Sequence, residues 1–457
     1  MADLDTIFKA YDVRGVVPDQ LDAALCGQIG AAFGRFVLDH PDGAKPRRVL
    51  VARDMRSSGV ELAGAFADGV QRQGLDVVDL GLASTDLVYF AAGHLDAPGA
   101  MFTASHNPAQ YNGIKLCLAG ARPVGQDTGL DEIKRLVASG VGAAPTEAGR
   151  IEPLDLLDDF GRHVRSFVDV SALRPLKVVA DTANGMGGLV VPKVFEGLPF
   201  ELDMLYPELD GSFPHHPADP IQPDNLRDLQ ARLRATDADV GLAFDGDADR
   251  VFLVDDRAEP LSGSTTTSIV ATGVLEREPG ATILHNLICS KAVPEVIREH
   301  GGTPVRTRVG HSFIKQVMAE TGAAFGGEHS AHYYFRDNYR ADSGSIAALV
   351  VLERICKAGV PLSELRKPFD RYAASGEINT AVDDPASVIE RVAAAYAGTH
   401  PDAAQDRIDG LTVDLGDWWF NLRPSNTEPL LRLNLEAPSR AAVDAHVAEV
   451  RALITKG

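Results

Sequence analysis

Short apolar runs of strand character keep giving way to amphipathic helical stretches, and this alternation limits the chain to few architectures. Arg48 to Val51 reads as a strand, Gly59 to Gln73 as a helix, and Leu75 to Leu80 and Gly99 to Thr103 as further strands. The pattern resumes with a strand at Leu176 to Ala180, a glycine-rich turn and a helix into Val194. Val240 to Phe244 and Val251 to Val254 flank an acidic turn, and Ala281 to Asn286 precedes a helix over Val293 to Glu299. Parallel strands need a crossover, usually a helix, so the alternation predicts doubly wound α/β domains. The last stretch differs in kind. It carries a helix over Pro385 to Ala397, strands near Leu411 to Leu415, Trp419 to Leu422 and Leu430 to Glu436, and a closing helix. In that closing helix Val443, Val447, Val450 and Ile454 recur at helical spacing, and the whole reads as a smaller α+β domain.

The chain has 457 residues, which at roughly 100–200 per domain suggests about three domains. Pattern breaks fall at Ala138 to Thr146, Asp255 to Pro260 and Lys367 to Tyr372. Apolar residues at 45% and charged residues at 24% are ordinary for a folded soluble protein. No run approaches the ~18 apolar residues of a membrane span. Met1 to Lys9 lacks the basic start and apolar run of a secretory signal, so a cytoplasmic location is expected. Cys26, Cys117, Cys289 and Cys356 lie far apart, which predicts buried thiols rather than a disulfide framework or a cysteine zinc site. The net charge of −20 repels nucleic acid and anionic membranes, so neither is an expected partner. An anionic substrate would need positive charge concentrated locally.

Four loops carry chemistry. In Ala100-Met-Phe-Thr-Ala-Ser-His-Asn-Pro108 a strand delivers Thr103, Ser105, His106 and Asn107 into a turn. Ligands of doubly wound folds collect at such strand ends, where an activated serine can be a nucleophile; alternatively, Ser and Asn simply bond their own backbone. The loop is not a G-x-S-x-G elbow, which disfavours acyl chemistry. In Asp245-Gly-Asp-Ala-Asp-Arg250 three carboxylates at i, i+2 and i+4 can converge on one hard cation. An EF-hand is excluded, because Arg250 stands at the sixth position and Asp256 at the twelfth. So few ligands suit Mg²⁺ completed by a phosphate oxygen, and a cation would relieve repulsion among the three carboxylates. Gly326-Gly-Glu-His-Ser-Ala-His332 offers Glu328 and Ser330 to sugar hydroxyls, or is a polar loop capping a helix. Arg423-Pro-Ser-Asn-Thr-Glu-Pro429 gathers an arginine fork with Ser425, Asn426 and Thr427, donors that suit a phosphate.

Two other segments read as structural. Asp181-Thr-Ala-Asn-Gly-Met-Gly-Gly188 follows a strand and precedes a helix, but it lacks the G-x-G-x-x-G spacing of a dinucleotide loop and is expected to be a tight turn. His215 and His216, adjacent in a proline-rich loop, point apart rather than form a metal pair.

Taken in order, the loops resemble the α-D-phosphohexomutase family, and in particular its bacterial phosphomannomutase/phosphoglucomutase branch, over nearly the whole chain. Phe8-Lys-Ala-Tyr-Asp-Val-Arg-Gly15 is similar to the family's N-terminal signature. T-A-S-H-N-P resembles its phosphoserine loop, D-G-D-A-D-R its metal loop, G-E-H-S-A-H its sugar loop and R-P-S-N-T-E-P its phosphate loop. The resemblance implies a heart-shaped molecule of three similar α/β domains and a smaller C-terminal α+β domain around a central cleft. Domains are then expected at 1–145, 146–254, 255–368 and 369–457, four rather than three. It implies that Ser105 is phosphorylated and that Asp245, Asp247 and Asp249 hold Mg²⁺ with it. It further implies that Glu328 and Ser330 grip sugar hydroxyls, and that Arg423, Ser425, Asn426 and Thr427 bind the phosphate not being transferred. Tyr11, Arg14, Lys115, Arg250, His311 and His332 match positions lining the family's cleft, and Lys291 is expected to join its cations.

The implied activity is an isomerase, an intramolecular phosphotransferase interconverting hexose 6-phosphate and hexose 1-phosphate of mannose or glucose. A hexose 1,6-bisphosphate is both intermediate and activator, and the substrate is the expected partner of a monomer or weak homodimer. Lys115, His311 and His332 are candidates for general acid and base; a lysine in that role needs its pKa lowered by neighbouring cations. The alternatives are a phosphoglucosamine-type mutase and a phosphoserine-dependent sugar phosphatase.

Overall fold

The structure, a computed structural model, describes residues 3–40, 47–141, 147–424 and 430–455. It divides into two compact units, Met1–Ser262 with Ser330–Leu365, and Gly263–His329 with Arg366–Gly457.

The first unit contains two sheets. One comprises β1 (Val13–Val16), β2 (Arg48–Arg53), β3 (Asp76–Leu82), β4 (Gly99–Phe102), β5 (Tyr111–Leu118), β6 (Arg122–Pro123) and β7 (Ile151–Pro153), in the order β1-β5-β4-β2-β3-β7 with β6 on β5. Its centre is parallel, with β2 between β3 and β4, while β5 runs antiparallel to β4 and β1. The other comprises β8 (Lys177–Asp181), β9 (Glu201–Leu205), β10 (Val240–Phe244) and β11 (Val251–Asp255), in the order β11-β10-β8-β9. β4 and β10 are buried along their whole length, because helices cover both faces, and this explains their uninterrupted apolar sequences. The core of the first sheet packs the helices Ala23–Asp39 and Gly59–Gln71 through Phe33, Phe36 and Phe66.

In the second unit β12 (Thr282–Asn286), β13 (Thr303–Thr307) and β14 (Phe325–Gly327) pair in parallel around β12. The chain then returns to the first unit with β15 (Tyr333–Phe335) and the buried helix Gly344–Ala358. The second unit ends in an antiparallel sheet of β16 (Ala373–Ala381), β17 (Ala404–Asp406), β18 (Leu411–Asp414), β19 (Trp419–Pro424) and β20 (Leu430–Ala437), in the order β16-β20-β19-β18-β17. Phe420, Leu422, Leu431 and Leu433 bury one face against the helices Pro385–Thr399 and Arg440–Thr455, through Val392, Val443 and Val450. Doubly wound α/β folds followed by a C-terminal α+β fold are as the sequence pattern predicts.

Two expected breaks are filled by structure. The helix Leu130–Ser139 runs into the stretch read as a linker, whose residues 142–146 lie outside the described part. At Lys367 to Tyr372, Arg371 pairs with Glu295 at 3.1 Å and with Glu299, and the Tyr372 hydroxyl donates to Glu295 at 2.8 Å, so this stretch is fastened to the helix Ala292–Glu299. All four cysteines are buried and free. Among the described residues no helix is long and apolar enough to cross a membrane.

Candidate functional site

Ser105 lies in the turn after β4. Its N–H is held by Thr103 Oγ1 at 2.9 Å, and its φ is +48°, a left-handed conformation that a non-glycine residue adopts at some cost. A guanidinium that no local motif announces offsets that cost. Arg56, 1% exposed, donates to the carbonyls of Ser105 (2.9 Å), Asn107 (2.7 Å), Pro108 (2.8 Å) and Tyr111 (2.9 Å) and pairs with Asp54 at 3.2 Å. A planar five-donor fork can satisfy several carbonyls at once, so this one side chain fixes the course of the loop.

The acidic loop closes a hairpin, Phe244 of β10 pairing with Val251 of β11. It lies directly on the serine loop: a Cβ at Gly246 would fall 2.4 Å from the Ser105 carbonyl oxygen, so only glycine permits the approach. The approach brings Ser105 Oγ 2.7 Å from Asp245 Oδ2, to which it donates. Arg250 donates to the same oxygen from Nε (3.0 Å) and Nη2 (2.9 Å), and Nη2 also donates to His106 Nδ1 at 2.7 Å. Lys115, on β5, donates to Asp247 Oδ2 and Asp249 Oδ2, each at 2.7 Å. Thr85 Oγ1 donates to Asp247 Oδ2 at 2.5 Å. Arg14 donates to Asn107 Oδ1 at 2.5 Å and pairs with Asp12.

Asp245, Asp247 and Asp249 each present an oxygen within 4.8 Å of the others, and all three are buried. Asp247 Oδ1 and Asp249 Oδ1 are buried without a hydrogen-bond partner. A buried carboxylate oxygen without a partner is costly, and a hard cation is the group that satisfies two at once. The donor set therefore fits a divalent ion of the oxygen-seeking class. Electrostatics agree. Burial pushes the Asp245 carboxyl well up, Arg250 opposing and the other two aspartates reinforcing the rise. Burial also acts against ionised Asp247, but Lys115 and Thr85 outweigh it and hold that carboxyl well below the usual range.

Lys115 departs from the sequence expectation. A lysine base was to have cationic neighbours, whereas Lys115 faces two aspartates; burial disfavours its charge, but the aspartates prevail and raise its pKa well above the ordinary value. It is placed as an ammonium. His106 is the opposite case: burial, then Arg250 and Arg14, lower it to about 3, so it is a neutral acceptor.

In the same unit His332 Nδ1 lies 3.1 Å from Ser330 Oγ, and a ring nitrogen of His332 comes within 4.8 Å of oxygens of Asp249 and Asp342. Ser105, Arg14, Lys115, the three aspartates, Arg250 and His332 are therefore gathered, with Ser330 beside His332; Tyr11 is half-buried in the turn before β1. In the second unit Glu328 Oε1 accepts from Asn286 Nδ2 and from the Gly310 N–H, each at 3.1 Å. Lys291 Nζ donates to Asp414 at 2.8 Å and to the Gly416 carbonyl at 2.7 Å, so it ties the helix Ala292–Glu299 to the C-terminal sheet. Arg423 pairs with Glu377 at 2.9 Å. His311 opens the helix His311–Thr321, its side chain lying outside the described part, and Ser425, Asn426 and Thr427 lie outside the described residues. Arg56 and Thr85 were missed by sequence reasoning; each acts across more than forty residues of chain, with no motif of its own.

The chain is similar to known proteins along its whole length. Profiles of the phosphoglucomutase/phosphomannomutase family match in sequence: its alpha/beta/alpha domain I at residues 5–141, domain II at 158–259, domain III at 262–372 and its C-terminal domain at 377–453. A phosphomannomutase of Escherichia coli K12 is 39% identical over 98% of both chains. A phosphohexose mutase of Xanthomonas campestris is 40% identical over 95% of this chain and 96% of its own. The crystal structure of a phosphoglucomutase/phosphomannomutase family protein from Burkholderia thailandensis superposes with a TM-score of 0.89 at 33% identity, covering 100% of this chain and 99% of that one. With the serine loop seated on a triple-aspartate loop and all four domain profiles matched in order, the chain belongs to the phosphoglucomutase/phosphomannomutase family.

Proposed function

We propose that this chain is a phosphohexomutase for mannose or glucose phosphates in which Ser105 carries the transferred phosphoryl group. The observation behind this reading is the 2.7 Å contact of Ser105 Oγ with Asp245, beside two buried carboxylate oxygens that accept no hydrogen bond. In the first half-reaction the Oγ–P bond of phosphoserine breaks and a bond forms from phosphorus to the free sugar hydroxyl, whose proton passes to a base. The resulting hexose 1,6-bisphosphate turns over and presents its other phosphate. Ser105 then accepts that group and the vacated sugar oxygen takes up the proton, so atoms and charge balance over the cycle. Mg²⁺ held by Asp245, Asp247, Asp249 and the phosphoserine would supply electrostatic stabilisation of the transferring oxygens.

Arg14, Lys115 and Arg250 offset charge at the transfer point. His332 is favoured as the proton carrier because it sits near the aspartates with Ser330 at its side, and His311 is the other candidate. Glu328 and Ser330 would take sugar hydroxyls; Tyr11, Lys291, Arg423, Ser425, Asn426 and Thr427 would hold the spectator phosphate and ring. We assign one chemical loop to each of the domains 1–145, 146–254, 255–368 and 369–457. The test is a single assay of mannose 1-phosphate with a trace of glucose 1,6-bisphosphate and Mg²⁺. Hexose 6-phosphate without inorganic phosphate is the expected result; phosphate release alone would make the chain a phosphatase, and turnover confined to glucosamine phosphates would place it in that branch.

A further inference from the structure

The helix Thr85–His94 begins against the acidic loop. The Thr85 N–H donates to the Asp247 carbonyl at 3.0 Å, and Thr85 Oγ1 donates to Asp247 Oδ2 at 2.5 Å. With Lys115 on that oxygen as well, Oδ2 is fully engaged and Oδ1 is left buried and without a partner. The next residue explains why Thr85 stays in place. Asp86, fully buried, accepts from the hydroxyls of Ser84 and, at 2.7 Å, Ser343. Each serine is also the N-cap of a helix, Ser84 receiving the Leu87 N–H at 3.3 Å and Ser343 the Ile346 N–H at 3.2 Å. One side chain thus joins the first turns of two helices through their capping serines. The second helix, Gly344–Ala358, also abuts the loop: a Cβ at Gly344 would fall 2.7 Å from the Arg250 carbonyl carbon. The two helix starts therefore bracket the acidic loop at Asp247 and at Arg250.

We propose that Thr85 is a positioning residue for the cation site, orienting Asp247 so that Oδ1 is left for the cation, and that Asp86 holds Thr85 there by tying the two helix caps together. The proposal rests on the reading of the three aspartates as a cation site. A hydrogen bond that fixes a ligand's orientation is typically worth about 10–100-fold in metal affinity. The test titrates Mg²⁺ into the unphosphorylated full chain by calorimetry and by Mg²⁺-dependent thermal shift, alongside mutase activity as a function of Mg²⁺. Thr85→Val keeps the shape and removes the donor: Mg²⁺ affinity should fall about tenfold or more, with kcat at saturating Mg²⁺ within about threefold. Thr85→Ser should restore affinity to within about threefold, and Asp86→Asn should weaken it in the same direction by less than Thr85→Val does. Unchanged affinity in folded Thr85→Val, or equal loss in Thr85→Ser, overturns the positioning role. Asp247→Asn separates the two ideas. If it loses Mg²⁺ while Thr85→Val does not, only the role of Thr85 falls; if it binds Mg²⁺ as the unaltered chain does, the cation reading falls and this proposal with it.

Discussion

Two loops leave the same sheet at neighbouring strands and have opposite characters. β8 ends in Asp181-Thr-Ala-Asn-Gly; after β10 comes Asp245-Gly-Asp-Ala-Asp-Arg. They touch, the Met186 N–H donating to the Gly246 carbonyl at 2.9 Å. Both contain left-handed non-glycine residues, Ala183 and Asn184 in one and Ala248 in the other. In the first, the named polar groups find protein partners. Asp181 Oδ1 accepts the Ala183 N–H at 3.0 Å, Asp181 Oδ2 pairs with His216 at 3.0 Å, and Asn184 binds the Glu208 carbonyl and His215 at 2.9 and 2.8 Å. In the second, Asp247 Oδ1 and Asp249 Oδ1 accept no hydrogen bond, Arg250 Nε standing 4.0 Å from the latter. A buried carboxylate oxygen that accepts no hydrogen bond is costly, and a cation could satisfy two that lie in one turn. Strand-end position and tight-turn geometry are shared by both loops; the polar atoms left over are what separate a ligand site from a structural turn.

The comparison can be broken in several places. The largest effect should come from Ser105→Ala, which removes the atom the acidic loop faces: turnover should fall roughly 10⁴-fold or more with the melting temperature nearly unchanged, as steady-state kinetics and calorimetry would show. Gly246→Ala comes next. Its Cβ would press on the Ser105 carbonyl and separate the two loops, and a misplacement of about 1 Å costs on the order of 10²-fold in kcat/KM. On the other loop the sign of the contrast should reverse. Asp181→Asn should leave turnover within about threefold but cost about 1–3 kcal/mol in denaturant unfolding, since it weakens a nearly buried pair.

The smallest effect is the pH dependence of that cost. Burial acts to lower the His216 pKa, but the hydrogen bond and charge of Asp181 outweigh it and raise the pKa above the ordinary value. A histidine raised in the folded state contributes stability that is fully present below its unfolded pKa of about 6.5 and is lost as pH rises through the folded value. The stability gap between the unaltered chain and Asp181→Asn should therefore be widest near pH 6 and narrow above neutrality. A gap that grows with pH would show that His216 is not the charged partner.

Much of this was legible in the sequence, for physical reasons. β4 and β10 are continuous apolar runs because both faces are covered, and a sharp change to polar residues at their ends marks where a loop meets solvent or ligand. The spacing of Asp245, Asp247 and Asp249 survives into space because a tight hairpin turn brings alternate residues together. The expectation that His215 and His216 point apart was wrong: both rings pack on Tyr206, with centroids at 3.9 and 5.5 Å, and both bond into the Asp181–Asn184 turn, because the loop folds back instead of staying extended. What was not legible depends on pairing across the chain. Arg56 reaches its carbonyls because β2 lies beside β4 in the sheet, and Thr85 reaches Asp247 across 162 positions. Neither contact leaves a local pattern. The anionic neighbours of Lys115 were hidden for the same reason, since they come from a loop 132 and 134 positions away.

The most direct measurement follows the phosphoryl group itself. The purified chain is incubated with glucose 1,6-bisphosphate labelled with ³²P and with Mg²⁺, then digested, and the labelled peptide is located by mass spectrometry. Label on Ser105, discharged onto added hexose monophosphate and absent from Ser105→Ala, is the predicted result. Label on another residue, or label appearing only as inorganic phosphate, would contradict the account.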